Sequence, residues 1–168
     1  MAVLKKNYGR VDSWRNQVIA DIVASLTDLG QEACQYAIDM RGYNNRTYNL
    51  RDSIGSAVYV DGKIVPSSKR YAFRKSSKKP YPDKGYGRNG EPIEGREALD
   101  RYWDENKTLK NSKNTIELVV VAGTFYSGIL EDRGIQVISA AVDYLESNMS
   151  AYKTYNPTLR ASADMIKF

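Results

Sequence analysis

Histidine is absent from this 168-residue chain, and cysteine occurs once, at Cys34. The first absence removes the commonest general base, the commonest metal ligand and every Ser-His or Cys-His nucleophile pairing. An ordinary hydrolase is thereby set aside. The second excludes an internal disulfide framework and fits a reducing compartment. Cys34 itself lies in an apolar helical run and reads as core packing. No window approaches 18 uninterrupted apolar residues, and the charged segment from Met1 to Arg10 is not followed by the apolar stretch of a signal peptide. The expectation is a soluble protein, made where it works, in a cytoplasm. With 42% hydrophobic residues, the chain can bury one genuine core but not two comfortable ones. A single domain over residues 1–150 is expected, with an excursion at 66–95 and a tail or arm at 151–168.

Basic charge is concentrated rather than spread. Between Pro66 and Gly90, Lys69, Arg70, Arg74, Lys75, Lys78, Lys79, Lys84 and Arg88 face one acid, Asp83, so this stretch holds +7 where the whole chain holds only +5. The remainder is nearly neutral, and the basicity belongs to one arm. Tyr71, Phe73, Tyr81 and Tyr86 are interleaved with it. Four of the five prolines and four of the twelve glycines fall between residues 66 and 95, no periodicity survives there, and the segment reads as a long loop, mobile in isolation.

Outside the arm, periodicity is clear. From Asp12 the apolar positions Trp14, Val18, Ile22, Leu26, Leu29, Ala33, Ala37 and Met40 step by three or four, which predicts a long amphipathic helix capped at Asp12 or Ser13 and stopped at Gly42. Gly30 inside it points to a kink or to close helix-on-sheet approach. Thr47 stands as the cap of a short helical segment through Leu50, Arg51, Asp52 and Ile54. Ser56–Val60 and Lys63–Val65 flank Asp61-Gly62, the signal of a type I′ hairpin, in a register that sets Tyr59 opposite Ile64 and invites cover on both faces. Gly95–Lys107 regains helical character, with Ala98, Leu99, Tyr102 and Trp103 on one side. Thr115–Ala122 becomes apolar on both faces toward its end, as an interior strand does. A short turn of helix from Phe125 to Leu130 and a helix from Ile135 to Met149 complete the pattern. The order implies an α+β fold, with a long N-terminal and a C-terminal helix packed on one face of a small antiparallel sheet and a long basic loop.

Candidate chemistry is sparse. Asp100 and Asp104 would share a helix face and could hold a divalent cation, but beside Arg96 and Arg101 they read first as a solvated face. Glu131 and Asp132 specify no reaction without a His, Cys or Lys partner, and a subunit contact or a cap on the following helix suits them better. Gly85, Gly87 and Gly90 lack the flanking strand, helix start and Lys-Ser or Lys-Thr of a phosphate loop. The basic aromatic arm is the substantial candidate, either neutralising phosphates while its aromatics stack on bases, or meeting the acidic face of a neighbouring subunit.

Two regions resemble one family. Thr47-Tyr48-Asn49-Leu50-Arg51-Asp52-Ser53-Ile54, followed by the hairpin through Asp61 and Gly62, is similar to the Thr-Gly-x-Leu-x-x-Ser-Ile, strand, turn, strand core of tailed-bacteriophage neck proteins, the tail-completion or head-to-tail joining family; Tyr48 occupies the position of that pattern's Gly. Val119-Val120-Val121-Ala122-Gly123 leading to Tyr126, then Leu130-Glu131 and Gly134, resembles the family's strand and its Val-Glu-x-x-Gly step into the last helix. The resemblance implies a virion component made in the host bacterial cytoplasm, without catalytic role or cofactor. Its copies would form a ring at the neck, joined to portal-side or tail proteins, with the genome passing through the lumen. It implies that Thr47, Leu50, Ile54, Tyr126 and Glu131 hold the fold, while the basic loop and the tail reach neighbours. A channel through which DNA slides gains nothing from many tight phosphate contacts, so most of the arm is expected on protein partners, with at most a few residues facing DNA. The competing readings are a small cytoplasmic nucleic-acid-binding module that uses the arm, and a metal-dependent nuclease using the acids near Asp100.

Overall fold

A computed structural model describes residues 5–43, 48–71, 85–86, 92–110, 112–153 and 160–165. Helix α1 spans Lys5–Asp39, α2 Asn49–Asp52, β1 Ile54–Val60, β2 Lys63–Ile64, β3 Arg70–Tyr71, β4 Gly85–Tyr86, β5 Pro92–Ile93, α3 Gly95–Glu105, β6 Ile116–Ala122, α4 Tyr126–Asp132, α5 Ser139–Lys153 and β7 Arg160–Met165. The fold is α+β, as the order of apolar patterns implied.

The sheet is built around two strands. β1 pairs antiparallel with β6 along its whole length, from Ile54 opposite Ala122 to Val60 opposite Ile116. On its other edge β1 carries β2 at one end and β3 at the other, and β6 carries β7 in parallel. Side chains alternate across these strands with period two. Ile54, Val58, Leu118, Val120 and Ala122 enter a core with α1 and α5, while Ala57, Tyr59, Val119 and Val121 enter a second one with Leu99, Tyr102 and Trp103 of α3. Helices therefore cover both faces, not one. The reason was in the strands themselves, since a face carrying Tyr59, Val119 and Val121 cannot be left in water.

Helix α1 departs from expectation at both ends. It begins at Lys5, so Asp12 and Ser13 are interior rather than caps. Thirty-five residues make a rod of about 52 Å, whereas a seven-residue strand such as β1 is about 23 Å long. Burial is complete only from Leu26 to Ile38, and the ends overhang, leaving Trp14 69% and Met40 51% exposed. Gly30 marks the close approach foreseen in the sequence. A Cβ there would meet Ser56 Oγ at 2.6 Å and Leu118 Cδ1 at 2.8 Å, so only glycine lets the helix backbone settle on the β1–β6 pair.

The hairpin forms as predicted, with Asp61 at φ 52°, Gly62 at φ 76° and Tyr59 opposite Ile64. The start of the expected loop is ordered instead: Pro66–Ser68 forms a 3-10 turn, and β3 pairs with Gly55 and Ser56. Ser68 bridges the gap between β2 and β3, its hydroxyl accepting from Val58 N–H at 2.8 Å and donating to the Val65 carbonyl at 2.7 Å. Two further boundaries differ. α5 starts at Ser139 rather than Ile135 and runs to Lys153, past the expected domain limit. Beyond it, Arg160–Met165 is a strand on the chain's own β6, where a tail ordering on a partner was expected, and the sheet is consequently not wholly antiparallel. The strand was faint in the periodicity because Arg-Ala-Ser-Ala-Asp-Met alternates its polar residues with two alanines and a single Met.

Candidate functional site

The two motif regions, about seventy positions apart in the chain, meet at one end of the β1–β6 pair. Gly123 N–H donates to the Ser53 carbonyl at 2.9 Å, and the Ser53 and Thr124 hydroxyls lie 3.3 Å apart. Ser53 Oγ also donates to the Leu50 carbonyl at 2.7 Å, closing α2 from within, and Leu50 and Ile54 are buried beneath it. Ile54 starts β1 instead of ending the short helix, and Thr47, the expected cap, lies outside the described residues.

The residue that precedes α2 is Tyr48, at φ 62° and ψ −3°. A left-handed backbone costs a residue with Cβ about 1–2 kcal/mol. Here the Arg51 guanidinium stacks over the Tyr48 ring at 4.5 Å while bonding Asp52 Oδ1 through Nε at 2.9 Å and Nη2 at 2.7 Å. A cation–π contact is worth about 0.5–2 kcal/mol, enough to offset much of the strain. Asn49 extends the junction to α3, its Oδ1 accepting from Gly95 N–H at 3.3 Å. Sequence reasoning missed Asn49, because nothing local marks a partner 46 positions away.

Glu131 is a cap, one of the two roles foreseen for it. A single carboxylate oxygen, Oε1, accepts from Val137 N–H at 2.8 Å, Ile138 N–H at 2.6 Å and Ser139 N–H at 2.8 Å. It thus satisfies three successive backbone donors at the entry to α5, those of Ile138 and Ser139 being among the orphans of its first turn. Ser139, which looks like the cap, leaves its own buried hydroxyl without a partner. Gly134, at φ 75°, reverses the chain between the carboxylate and the helix it serves. Tyr126 packs against the core of α1 and α5, and its phenol pKa is raised, chiefly by burial.

Of the basic arm, Lys69 and Arg70 fall within the described residues, and Arg74, Lys75, Lys78, Lys79, Lys84 and Arg88 lie outside them. Arg70 bonds locally, donating from Nη1 to the Ser67 and Lys69 carbonyls at 2.9 and 3.0 Å. Tyr71 anchors the departure of the arm. Its backbone carbonyl accepts from Gln31 Nε2 at 3.3 Å, its hydroxyl donates to Asp100, and the Arg96 guanidinium covers its ring at 4.0 Å. Burial, reinforced by Asp100, pushes the Tyr71 phenol up to about 12. Tyr71 is therefore committed to α3 and not available to stack on a base.

The same contacts absorb the candidate cation pair. Asp100 receives the Tyr71 hydroxyl and Asp104 pairs with Lys107 at 3.3 Å. Among the described residues no group of three or more His, Cys, Asp or Glu side chains gathers as a metal site. Cys34 is fully buried, and burial pushes its thiol up to about 12, which keeps it unreactive. Among the described residues, no helix is long and apolar enough to cross a membrane. Comparison of the chain with family models, curated proteins and solved structures finds no match.

Proposed function

We propose that this chain is a structural subunit of a ring at the head-to-tail junction of a tailed bacteriophage, a neck or tail-completion protein of the virion without a catalytic role. The observation that carries the reading is the junction of Ser53 with Gly123 and Thr124, which joins the two segments whose sequences resemble that family. Two details support it. Tyr48, at the position of the family pattern's Gly, adopts the left-handed backbone that glycine takes most readily, and Glu131 and Gly134 work together in the step into α5. In this reading the motif residues act on the fold, and the basic arm acts between subunits.

A small α+β unit repeats around a closed ring through heterologous contacts, with arms that order on assembly. The arm then meets acidic surface on adjoining protein, and the lumen is left for sliding DNA. Sedimentation of the full chain at low and high salt, with and without a short DNA duplex, tests this directly. Rings, or discrete oligomers that ignore the duplex, are expected. A monomer that binds the duplex with an affinity falling steeply with salt would replace the reading with that of a nucleic-acid-binding module. Reversing charge at Lys75, Lys78 and Lys79 separates the two further, since assembly should suffer more than DNA affinity.

A further inference from the structure

The layer formed by α1 and α5 carries charge of one sign. From Asn16 to Met40, α1 holds Asp21, Asp28, Glu32 and Asp39 and no Lys or Arg; from Ser139 to Met149, α5 holds Asp143 and Glu146 and again no Lys or Arg. All six carboxylates are exposed. The four on α1 recur at spacings of seven, four and seven, so they form one stripe about 27 Å long on the outer side of the helix. Three of them meet neutral donors: Gln17 bonds Asp21 at 2.9 Å, Gln35 bonds Asp39 at 3.0 Å, and the Tyr144 hydroxyl bonds Glu32 at 2.9 Å. Among the described residues, no Lys or Arg forms an ion pair with any of the six.

Aromatic groups stand within this acidic surface. The Tyr36 ring, 37% exposed, lies 5.1 Å from the Tyr144 ring across the two helices, and Met40, one turn further along α1, is 51% exposed. An exposed aromatic pair beside carboxylates suits a Lys or Arg side chain, which offers a carboxylate its charged head and a ring face its charge and stem.

We infer that this acidic, aromatic face of α1 and α5 receives the basic arm of a second copy of the chain, in a contact that rests on the ring reading and names its surfaces. Charge complementarity identifies the occupant. Six unpaired carboxylates match an arm that holds +7 between Pro66 and Gly90, in a chain whose remainder is nearly neutral. Placement makes the contact head to tail. Tyr71, where the arm leaves the fold, packs on the α3 side of the sheet and bonds Asp100, and β5, where it returns, leads directly into α3. Helices α1 and α5 cover the other side. Features on opposite sides of one sheet face two different neighbours, as successive subunits of a ring do. Between Tyr71 and β4 lie thirteen residues, which out and back reach about 20 Å, enough to cross onto an adjoining subunit.

Analytical ultracentrifugation of full-length variants across concentration tests the contact by exchanging charge. The face variant combines Asp28→Lys with Asp39→Lys, both at exposed positions, and the arm variant combines Lys75→Glu, Lys78→Glu and Lys79→Glu; thermal unfolding verifies that each folds. Each alone should weaken self-association by roughly 30-fold or more, because like charges then meet. Mixed in equal amounts they should regain it, since the reversed arm fits the reversed face and the native arm fits the native face. Tyr36→Ala, which leaves every charge in place, should weaken association by about tenfold, and it carries the test if the face variant does not fold. A face variant that associates like wild type would overturn the contact and leave the ring reading standing. So would a mixture that fails to recover what each variant lost, because arm and face would then belong to separate contacts. Unchanged assembly of both variants, with duplex binding lost in the arm variant, would give the arm to nucleic acid and likewise overturn the contact alone. A wild-type chain that stays monomeric at all concentrations would overturn both.

Discussion

Removing the Glu131 carboxylate should unlatch the start of α5, and the structure fixes the scale of the effect. In Glu131→Ala, the N–H groups of Val137, Ile138 and Ser139 lose their common acceptor, Oε1, at once. Loss of a capping side chain costs about 1 kcal/mol and up to 2, and a hydrogen bond to a charged group contributes about 1.5–3 kcal/mol. Three bonds to one oxygen do not add, and water reaches this half-buried site, so about 3 kcal/mol is expected in total. Glu131→Gln keeps an acceptor oxygen but loses the attraction between a full charge and the helix N-terminus, so it should cost about half as much. Urea unfolding with an unchanged m-value measures both, and Glu131→Ala should lower the melting temperature by roughly 10 °C in a domain of this size. Asp132→Ala, exposed and next in sequence, is the control and should stay within about 0.5 kcal/mol of wild type. A Glu131→Ala variant within that same margin would refute the capping argument.

Gly30→Ala should destabilise by about 1–2 kcal/mol despite the gain in helix propensity, because the new methyl meets Ser56 Oγ at 2.6 Å; chemical denaturation reads the sign. Alkaline stability should depend on the phenols of Tyr43, Tyr71 and Tyr126 and on the Cys34 thiol, all raised chiefly by burial. Unfolded tyrosines ionise near pH 10, whereas Tyr43, chiefly through burial, and Tyr71, through burial and Asp100, ionise only near 12. Between those values the folded chain holds protons that the unfolded one has released, and the buried Cys34 thiol, about 9 when unfolded and about 12 here, opens the window earlier, so stability is intact below about pH 9 and falls as pH rises toward 12. Tyr43→Phe, which removes a buried hydroxyl without a partner, should flatten that fall at little cost near neutrality, and a pH series of unfolding curves measures it. Gly134→Ala should cost about 1 kcal/mol from backbone conformation alone, since φ is 75° and nothing lies within 4 Å of the added carbon.

Where the chain carried its own local instruction, the reading succeeded. Asp61-Gly62 set a turn because both residues adopt positive φ, and Ala98, Leu99, Tyr102 and Trp103 are buried on one side of α3 as their spacing required. Glu131 was legible as a cap because a carboxylate shortly before an apolar helical run has few better uses. Asn49 with Gly95 and Tyr71 with Asp100 were not legible. Their partners stand 46 and 29 positions away, and periodicity reports only near neighbours. Trp14 was assigned to the buried face for the same reason: spacing defines a stripe but not how far along it the sheet extends.

The sequence by itself determined that this is an α+β chain with one long helix, a tight hairpin and an interior strand, since hydrophobic periods of 3.6 and two are properties of consecutive residues. It also determined that basic charge is concentrated in one arm. Only the tertiary structure decided that helices cover both faces of the sheet, that residues 160–165 extend the sheet in parallel, and that the N-terminal end of α1 runs past its support and leaves Trp14 exposed. Those outcomes depend on where elements distant in sequence come to rest, and that is set by the relative lengths of helix and sheet and by which surfaces must be removed from water.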